Sequence, residues 1–110
     1  MLTDVHEGKI SEVVEITGSG DHVIVTGDAD SWIYVHELIG SATGDVVLEV
    51  LADTRPLAEF SLSEGQGLTL DDIPGDDGVP RFKCRPGEDF ILNLSGAVDF
   101  IGGIVYSRRY

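Results

Sequence analysis

The side chains in this sequence with the most obvious chemical potential are three histidines and one cysteine. His6, His22 and His36 are far apart along the chain, and Cys84 has no second cysteine beside it, whereas a zinc site usually draws its ligands from closely spaced pairs. His22 and His36 could meet across neighbouring strands, but an ordinary half-buried histidine is the favoured interpretation of each. We therefore expect no zinc site.

Oxygen ligands for calcium occur in two stretches that look like turns. Asp28 and Asp30 lie in the first, and Asp71-Asp72 with Asp76-Asp77 lie in the second. Neither stretch has the glycine and glutamate positions of an EF-hand loop. Aspartate also favours turns because its carboxylate bonds to nearby backbone N–H groups. Solvated turns are favoured over calcium sites, which stay the alternative.

The glycine-rich stretches lack the context of a catalytic loop. TGSG at 17–20 departs from the G-x-S-x-G pattern of a serine-hydrolase elbow, and neither it nor GQG at 65–67 precedes an expected helix. A cupin-like enzyme would need clustered histidines with a carboxylate, and the histidines here are dispersed. We predict that the protein is not an enzyme and uses no cofactor.

Short alternating stretches predict that these side chains are carried on β-strands. In residues 32–40 the alternation places Trp32, Tyr34 and His36 on one face and Ile33, Val35 and Glu37 on the other. Strand-like runs recur at the 8–12-residue spacing of sandwiches and barrels, and no stretch has an uninterrupted helical period. We predict an all-β protein with a single antiparallel β-sandwich, jelly-roll-like, of about eight short strands over residues 12–110, preceded by a flexible N-terminal arm, residues 1–11.

The charge distribution narrows the classes of partner. The 110 residues carry a net charge of −13, which argues against binding to nucleic acid or to an anionic membrane surface. Residues 1–77 contain 17 acidic and 2 basic side chains, whereas residues 78–110 contain 3 acidic and 5 basic ones. The late bases either pair with carboxylates of the same molecule or form a less acidic contact face. These five are Arg81, Lys83, Arg85, Arg108 and Arg109.

The strand RFKC, the lone cysteine and the first residues of the chain each allow one further prediction. The strand RFKC predicts Phe82 and Cys84 on one face and Lys83 on the other, so that Arg81, Lys83 and Arg85 form a row. A lone cysteine predicts a small buried hydrophobic side chain and no disulfide. The first 14 residues lack the pattern of a signal peptide, and no apolar run reaches the ~20 residues of a membrane helix.

The C-terminal residues 86–110, PGEDFILNLSGAVDFIGGIVYSRRY, resemble the end of a class of small tailed-bacteriophage virion proteins. In that pattern a turn leads into an apolar strand ending near Leu-Ser, and a Gly-rich strand then closes on Val-Tyr. The matching elements are Pro86-Gly87-Glu88, Leu92-Asn93-Leu94-Ser95, Gly102-Gly103 and Val105-Tyr106. The rest of the chain is similar only in its general layout.

The resemblance implies a β-sandwich structural protein of the virion. Some members are decoration (cement) proteins that bind the capsid exterior, often as trimers. We therefore expect a homotrimer that binds the major capsid protein on the outside of the shell and is made in the host cytoplasm, with no nucleic-acid or membrane partner. The expected capsid or subunit contacts are Arg81, Lys83, Arg85, Arg108, Arg109, Gly102 and Gly103, where the glycine pair predicts a bulge or a close backbone approach.

A second hypothesis is a tail-associated or carbohydrate-binding β-sandwich module. Trp32 and Tyr34 share a face, and such a pair could form a platform for a sugar ring beside the Asp-rich loop 71–77. Packing of the two rings into the sandwich is the favoured interpretation of this pair, and an exposed Trp32 would favour the sugar platform.

Overall fold

Nine antiparallel β-strands form the regular structure of the described residues, which are 8–72 and 79–110 in the computed structural model. Most of them coincide with the alternating or apolar runs of the sequence, because alternation suits a strand with one buried face. The strands are β1 Lys9–Thr17, β2 Gly20–Val25, β3 Trp32–Ala42, β4 Val46–Ala52, β5 Arg55–Leu62, β6 Gly67–Leu70, β7 Phe82–Cys84, β8 Phe90–Leu94 and β9 Asp99–Arg109.

The strands form two sheets. One has the order β1-β9-β3-β6, with β7 also pairing β3, and the other has the order β2-β8-β4-β5. The pairs β1–β9, β2–β8, β3–β6 and β4–β5 are nested, so that early strands lie beside late ones. The prediction of an all-β antiparallel sandwich is confirmed, and the jelly-roll assignment stays a prediction.

The core lies between the sheets and is built from alternate residues of each strand. Phe90, Leu92 and Leu94 of β8 are buried from one sheet, and Phe100 and Ile104 of β9 are buried from the other. This leaves the odd-numbered residues of β9 on the outer side of the five-stranded sheet. The most apolar C-terminal strands therefore occupy central positions in their sheets.

The structure differs from the sequence prediction at the chain start and in strand number. Nine strands are present among the described residues, rather than about eight. Residues 9–11, assigned to the flexible arm, belong to β1 and pair with Ser107, Tyr106 and Val105 of β9. Residues 1–7 of the arm lie outside the described residues, as does most of loop 71–77. Within 8–72 and 79–110 there is no helix that is long and apolar enough to cross a membrane.

Strand β3 contains a register shift that changes which side chains face out. Val35 pairs with Tyr106 and Glu37 pairs with Val105, so His36 is an extra residue with no partner on β9. Before the shift the buried residues are Ile33 and Val35, and after it Leu38 is buried. The expected placement of Glu37 beside Ile33 and Val35 is therefore wrong, because a bulge reverses the alternation.

Candidate functional site

One end of the outer face of the five-stranded sheet brings together aromatic and basic side chains. We call Trp32, Tyr34, Lys83 and Arg109 the basic–aromatic end. Strand pairing places Tyr34 opposite Lys83 of β7, and Trp32 opposite Arg109 of β9. The Lys83 Nζ atom lies 5.5 Å and the Arg109 guanidinium carbon 5.9 Å from the centre of the Tyr34 ring. Cation–π contacts hold both charges over one ring and leave them exposed.

The other three predicted bases are engaged differently. The Arg81 Nε atom donates to the Asp71 carbonyl oxygen (2.8 Å), and the Arg108 Nη2 atom donates to the Thr26 carbonyl oxygen (2.8 Å). The Arg108 Nη1 atom is also buried, so part of this guanidinium group is not available to a partner. Arg85 follows β7 and is exposed. The structure therefore brings Lys83 and Arg109 together, with Arg85 next along the chain, and separates Arg108 from them.

An apolar patch occupies the middle of the same outer face. Gly103 pairs with Val13 of β1 on one side and with Ile39 of β3 on the other. Ile101 and Val105 lie two residues before and after Gly103 on β9, and these four side chains form the apolar centre. The Val13 side chain is 79% exposed and that of Ile101 is 47% exposed. The missing side chain of Gly103 leaves a shallow depression of about 310 Å³, which is lined by Val13, Ile39 and Val105 among others.

Gly102 confirms the predicted close backbone approach. It pairs with Gly40 of β3, and a Cβ atom on Gly102 would overlap the carbonyl oxygen of Ile39. A Cβ atom on Gly40 would lie 2.6 Å from a ring carbon of Phe100. The two glycines thus let β3 and β9 approach closely over the buried Phe100 ring.

A hydrogen-bonded chain of three side chains lies where β3 bulges. His36 Nε2 is 2.8 Å from Ser107 Oγ, and His36 Nδ1 is 2.9 Å from Asp72 Oδ1. His36 lies between the part of β3 that pairs with β7 (Ile33 to Val35) and the part that pairs with β6 (Leu38 to Ser41). A hollow of about 360 Å³ adjoins it, lined by residues that include Lys9, Glu37 and Asp71.

The connectivity of this chain is that of a catalytic triad, but its burial indicates a structural role. A nucleophilic serine needs its Oγ atom open to a carbonyl carbon. Ser107 is 2% exposed, and it does not line the hollow beside His36. These hydrogen bonds therefore anchor the segment after β6 to the sheet, because Asp72 bonds to His36 and His36 bonds to Ser107 of β9. Sequence reasoning did not identify it, since the serine and the histidine are 71 residues apart.

Several sequence interpretations are decided by the geometry. Trp32 is 39% exposed, so the interpretation that it packs into the sandwich is wrong. Its ring meets Tyr34 edge-on, with 68° between the planes, so the two rings do not form one flat platform. His22 belongs to the four-stranded sheet and bonds to the Gly18 carbonyl oxygen (2.8 Å), away from His36. Asp28 bonds to the Asp30 backbone N–H as turn aspartates do.

Cys84 is a free, fully buried thiol, as its strand position predicted. Burial raises the pKa of the Cys84 thiol to about 12. A thiol in such surroundings is inert, because the reactive thiolate is strongly disfavoured. In the described parts of the chain there is also no group of three or more His, Cys, Asp or Glu side chains arranged to hold a metal ion.

An ion pair between Arg55 and Glu88 lies near Cys84. Arg55 donates from Nε and Nη2 to the two carboxylate oxygens of Glu88 (3.3 and 2.7 Å), and the Arg85 backbone N–H donates to the same carboxylate (2.6 Å). The hydrogen bond from Arg55 lowers the pKa of Glu88 below its ordinary value, and the bond from Arg85 adds to this. This pair joins the start of β5 to the turn before β8.

The outer face of the four-stranded sheet has the opposite character. Asn93 pairs with Asp21 and with Glu49, and Glu49 pairs with Glu59, so one row across the sheet contains three carboxylates. The Asn93 side-chain amide donates to Asp21 Oδ1 (2.7 Å). The two outer faces thus differ in charge, with an acidic row on one and the basic–aromatic end on the other.

No family model, curated protein or solved structure matches this chain.

Proposed function

We propose that the protein is a non-enzymatic structural protein of a bacteriophage virion, which decorates the outer surface of the capsid and stabilises it. The basic–aromatic end is the attachment site in this proposal, and the major capsid protein is its partner. The observation that carries the proposal is the exposure of Trp32, Lys83 and Arg109 on one sheet face of a chain whose net charge is −13.

The geometry of this end suits attachment to a protein surface that carries carboxylates. Aromatic residues and arginine are enriched in interface cores, because they combine apolar area with directed polar contacts. Lys83 and Arg109 are already held beside Tyr34, so little side-chain freedom is lost when they meet a partner. The acidic row on the opposite face would repel the same surface, and this difference between the faces gives the docked protein one orientation.

The strand order supports the jelly-roll part of the proposal. A jelly roll arises when nested antiparallel strand pairs wrap into two facing sheets. The nested pairs from β1–β9 to β4–β5 have this arrangement when β7 is treated as an addition to the edge of β3. The resemblance of residues 86–110 adds the virion context, and the homotrimer that it implies stays a prediction.

The proposal is tested by co-sedimentation of the purified protein with undecorated capsid shells at low and high salt. We expect the protein to pellet with the shells and to be released in part at high salt, because exposed charge pairs are screened. The double variant Lys83→Gln, Arg109→Gln should bind more weakly than the wild type at low salt and lose most of the salt dependence.

A matched control makes the same change in net charge on the other face. Val23→Glu with Ser61→Glu also lowers the net charge by two units, by adding two carboxylates at exposed positions on the outer face of the four-stranded sheet. This variant should bind like the wild type. Equal binding by both double variants would contradict the proposed site, and failure of the wild type to pellet would contradict the decoration function.

Exposure of Trp32 favours a second candidate, the carbohydrate-binding module. Because the Trp32 and Tyr34 rings meet edge-on, one ring rather than two can stack on a sugar. Titration with capsular or cell-wall oligosaccharides, followed by Trp32 fluorescence with and without calcium, tests it. Saturable binding that is lost in Trp32→Ala would favour this candidate over the decoration protein.

A further inference from the structure

We propose that the apolar centre of the outer face binds the same face of a second copy of this chain, through a two-fold axis that passes over Gly103. The partner is identified by the arrangement of side chains around this residue. Such an isologous contact requires a surface that complements itself after a rotation of 180°.

The register places the residues of this surface in three rows. The middle row is Val13, Gly103 and Ile39, and the two flanking rows are Ser11, Val105 and Glu37 on one side and Glu15, Ile101 and Ser41 on the other. Four apolar side chains therefore form a cross around a glycine. The two carboxylates lie at diagonally opposite corners of the surface, and the other two corners are serines.

This diagonal pattern is self-complementary. A two-fold axis that lies in the plane of the face and runs across the strands places Glu15 over the partner subunit's Ser11, and Glu37 over the partner subunit's Ser41. Ile101 then meets the partner subunit's Val105. Each carboxylate meets a hydroxyl group, which can donate a hydrogen bond to it, and no two carboxylates are superposed. In a chain with a net charge of −13, such a face avoids the repulsion that most other pairings would bring.

The basic–aromatic end selects this axis over one that runs along the strands. Arg109 lies six residues beyond Gly103 on β9. Lys83 pairs with Tyr34, and Tyr34 pairs with Ser107, which lies four residues beyond Gly103 on β9. An axis along the strands would place the basic ends of the two copies over each other. An axis across the strands places each basic end near the opposite end of the partner's β9, where Asp99 begins the strand.

The size of the surface predicts a weak association. Three strands about 4.8 Å apart and five residues of about 3.4 Å give a patch of roughly 240 Å² on each copy, against about 800 Å² per partner in a standard stable interface. The contact is therefore concentration-dependent. The basic–aromatic end lies outside this patch, but it is on the same face and would face the second copy. Under the proposed function the dimer is therefore the form of the free protein, docking on a shell replaces the second copy, and the homotrimer is expected only on the shell.

Sedimentation equilibrium of the purified protein over a wide concentration range tests the contact without any shell. We expect the average mass to rise from the monomer toward twice that value. Val13→Glu should weaken the dimer by at least about tenfold, because it places two carboxylates in the apolar middle row. Val23→Glu, the same substitution on the other sheet at a 54% exposed side chain, should leave the dimer unchanged.

A variant that strengthens the contact separates it from general loss of folding. Ser11→Lys places an ammonium group over the partner's Glu15 and should tighten the dimer by about two- to fivefold at low salt, with the gain lost at high salt. Ser61→Lys, at an exposed position on the other sheet, should not. A monomer at every concentration, a trimer, or a dimer that responds equally to the variants on both faces would overturn the proposal. Failure of shell binding alone would overturn only the decoration function.

Discussion

Gly102 and Gly103 are adjacent in β9 and face opposite sides of the five-stranded sheet. A Cβ atom on Gly102 would overlap the backbone of Ile39, whereas one on Gly103 would lie 3.5 Å from the Glu12 carbonyl oxygen, an ordinary contact. The two positions thus have different reasons for glycine. The first is required by the close packing of β3 on β9, and the second leaves open the depression on the outer face.

Alanine substitutions at these two positions should therefore have opposite effects. Gly102→Ala should lower the free energy of unfolding by about 1–3 kcal/mol or more, because the backbone of β3 must move to admit the methyl group. Gly103→Ala should be neutral or raise it by up to about 1 kcal/mol, because alanine suits a strand better than glycine. Urea unfolding followed by far-UV circular dichroism measures both. Equal destabilisation would contradict the packing described for β3 and β9.

The contact between His36 and Ser107 gives the second prediction. Ser107→Ala should cost about 1–3 kcal/mol of unfolding free energy, because the Nε2 atom of a buried imidazole loses its partner. Ser61→Ala, at an exposed site, should change it by less than about 0.5 kcal/mol. A double-mutant cycle with His36→Ala should show a coupling of about 0.5–3 kcal/mol. Additive effects, or labelling of Ser107 by a serine-hydrolase probe in the folded protein, would show that it is not the buried partner of His36.

The strands were predictable because their side chains alternate or form short apolar runs between turns. In β7 the alternation of Phe82, Lys83 and Cys84 predicted correctly which side chains are buried. The same rule placed Trp32 on the face opposite the apolar Ile33 and Val35, as the structure has it, whereas the interpretation that Trp32 packs into the sandwich is wrong. The periodicity was the better guide, because it reports the face on which a side chain lies.

Long-range pairing was not predictable from local patterns. In residues 32–40 the apolar phase changes between Val35 and Leu38, with Glu37 falling in phase with Ile33 and Val35. This break is a sign of a bulge, but it does not by itself say that His36 is the residue without a partner on β9. The assembly of Val13, Ile39 and Gly103 into one row depends on the register of three strands that are distant in sequence. Of the predicted basic row, Lys83 and Arg85 are exposed and Arg81 is partly buried. Arg109 comes near Lys83 only because β3 pairs with both β7 and β9.

Cys84 gives the third prediction. Its pKa of about 12 leaves on the order of a thousandfold less thiolate at pH 8 than an ordinary cysteine has. Reaction with a disulfide reagent should therefore be very slow in the native protein and become fast on unfolding in urea. Ser61→Cys, which adds an exposed thiol, should introduce one rapidly reacting group beside the slow one. Rapid reaction of native Cys84 would contradict its burial.

The ion pair between Arg55 and Glu88 gives a prediction about pH. The pKa of Glu88 is lowered in the folded protein, so the deprotonated carboxylate favours folding. This contribution is fully present above the ordinary pKa of a glutamate, about 4.3, and is lost as the pH falls through the lower folded value. Glu88→Gln should therefore be less stable than the wild type at pH 7, and the difference should shrink as the pH falls below 4.

Urea unfolding of the wild type and of Glu88→Gln between pH 7 and pH 3 measures this difference. Glu64→Gln is the control for the removal of one negative charge, because Glu64 is exposed and lies in the turn after β5. It should not reproduce the loss of stability at pH 7. A difference between Glu88→Gln and the wild type that stays constant across this pH range would mean that the glutamine replaces the contacts of the carboxylate or that the ion pair does not form in solution.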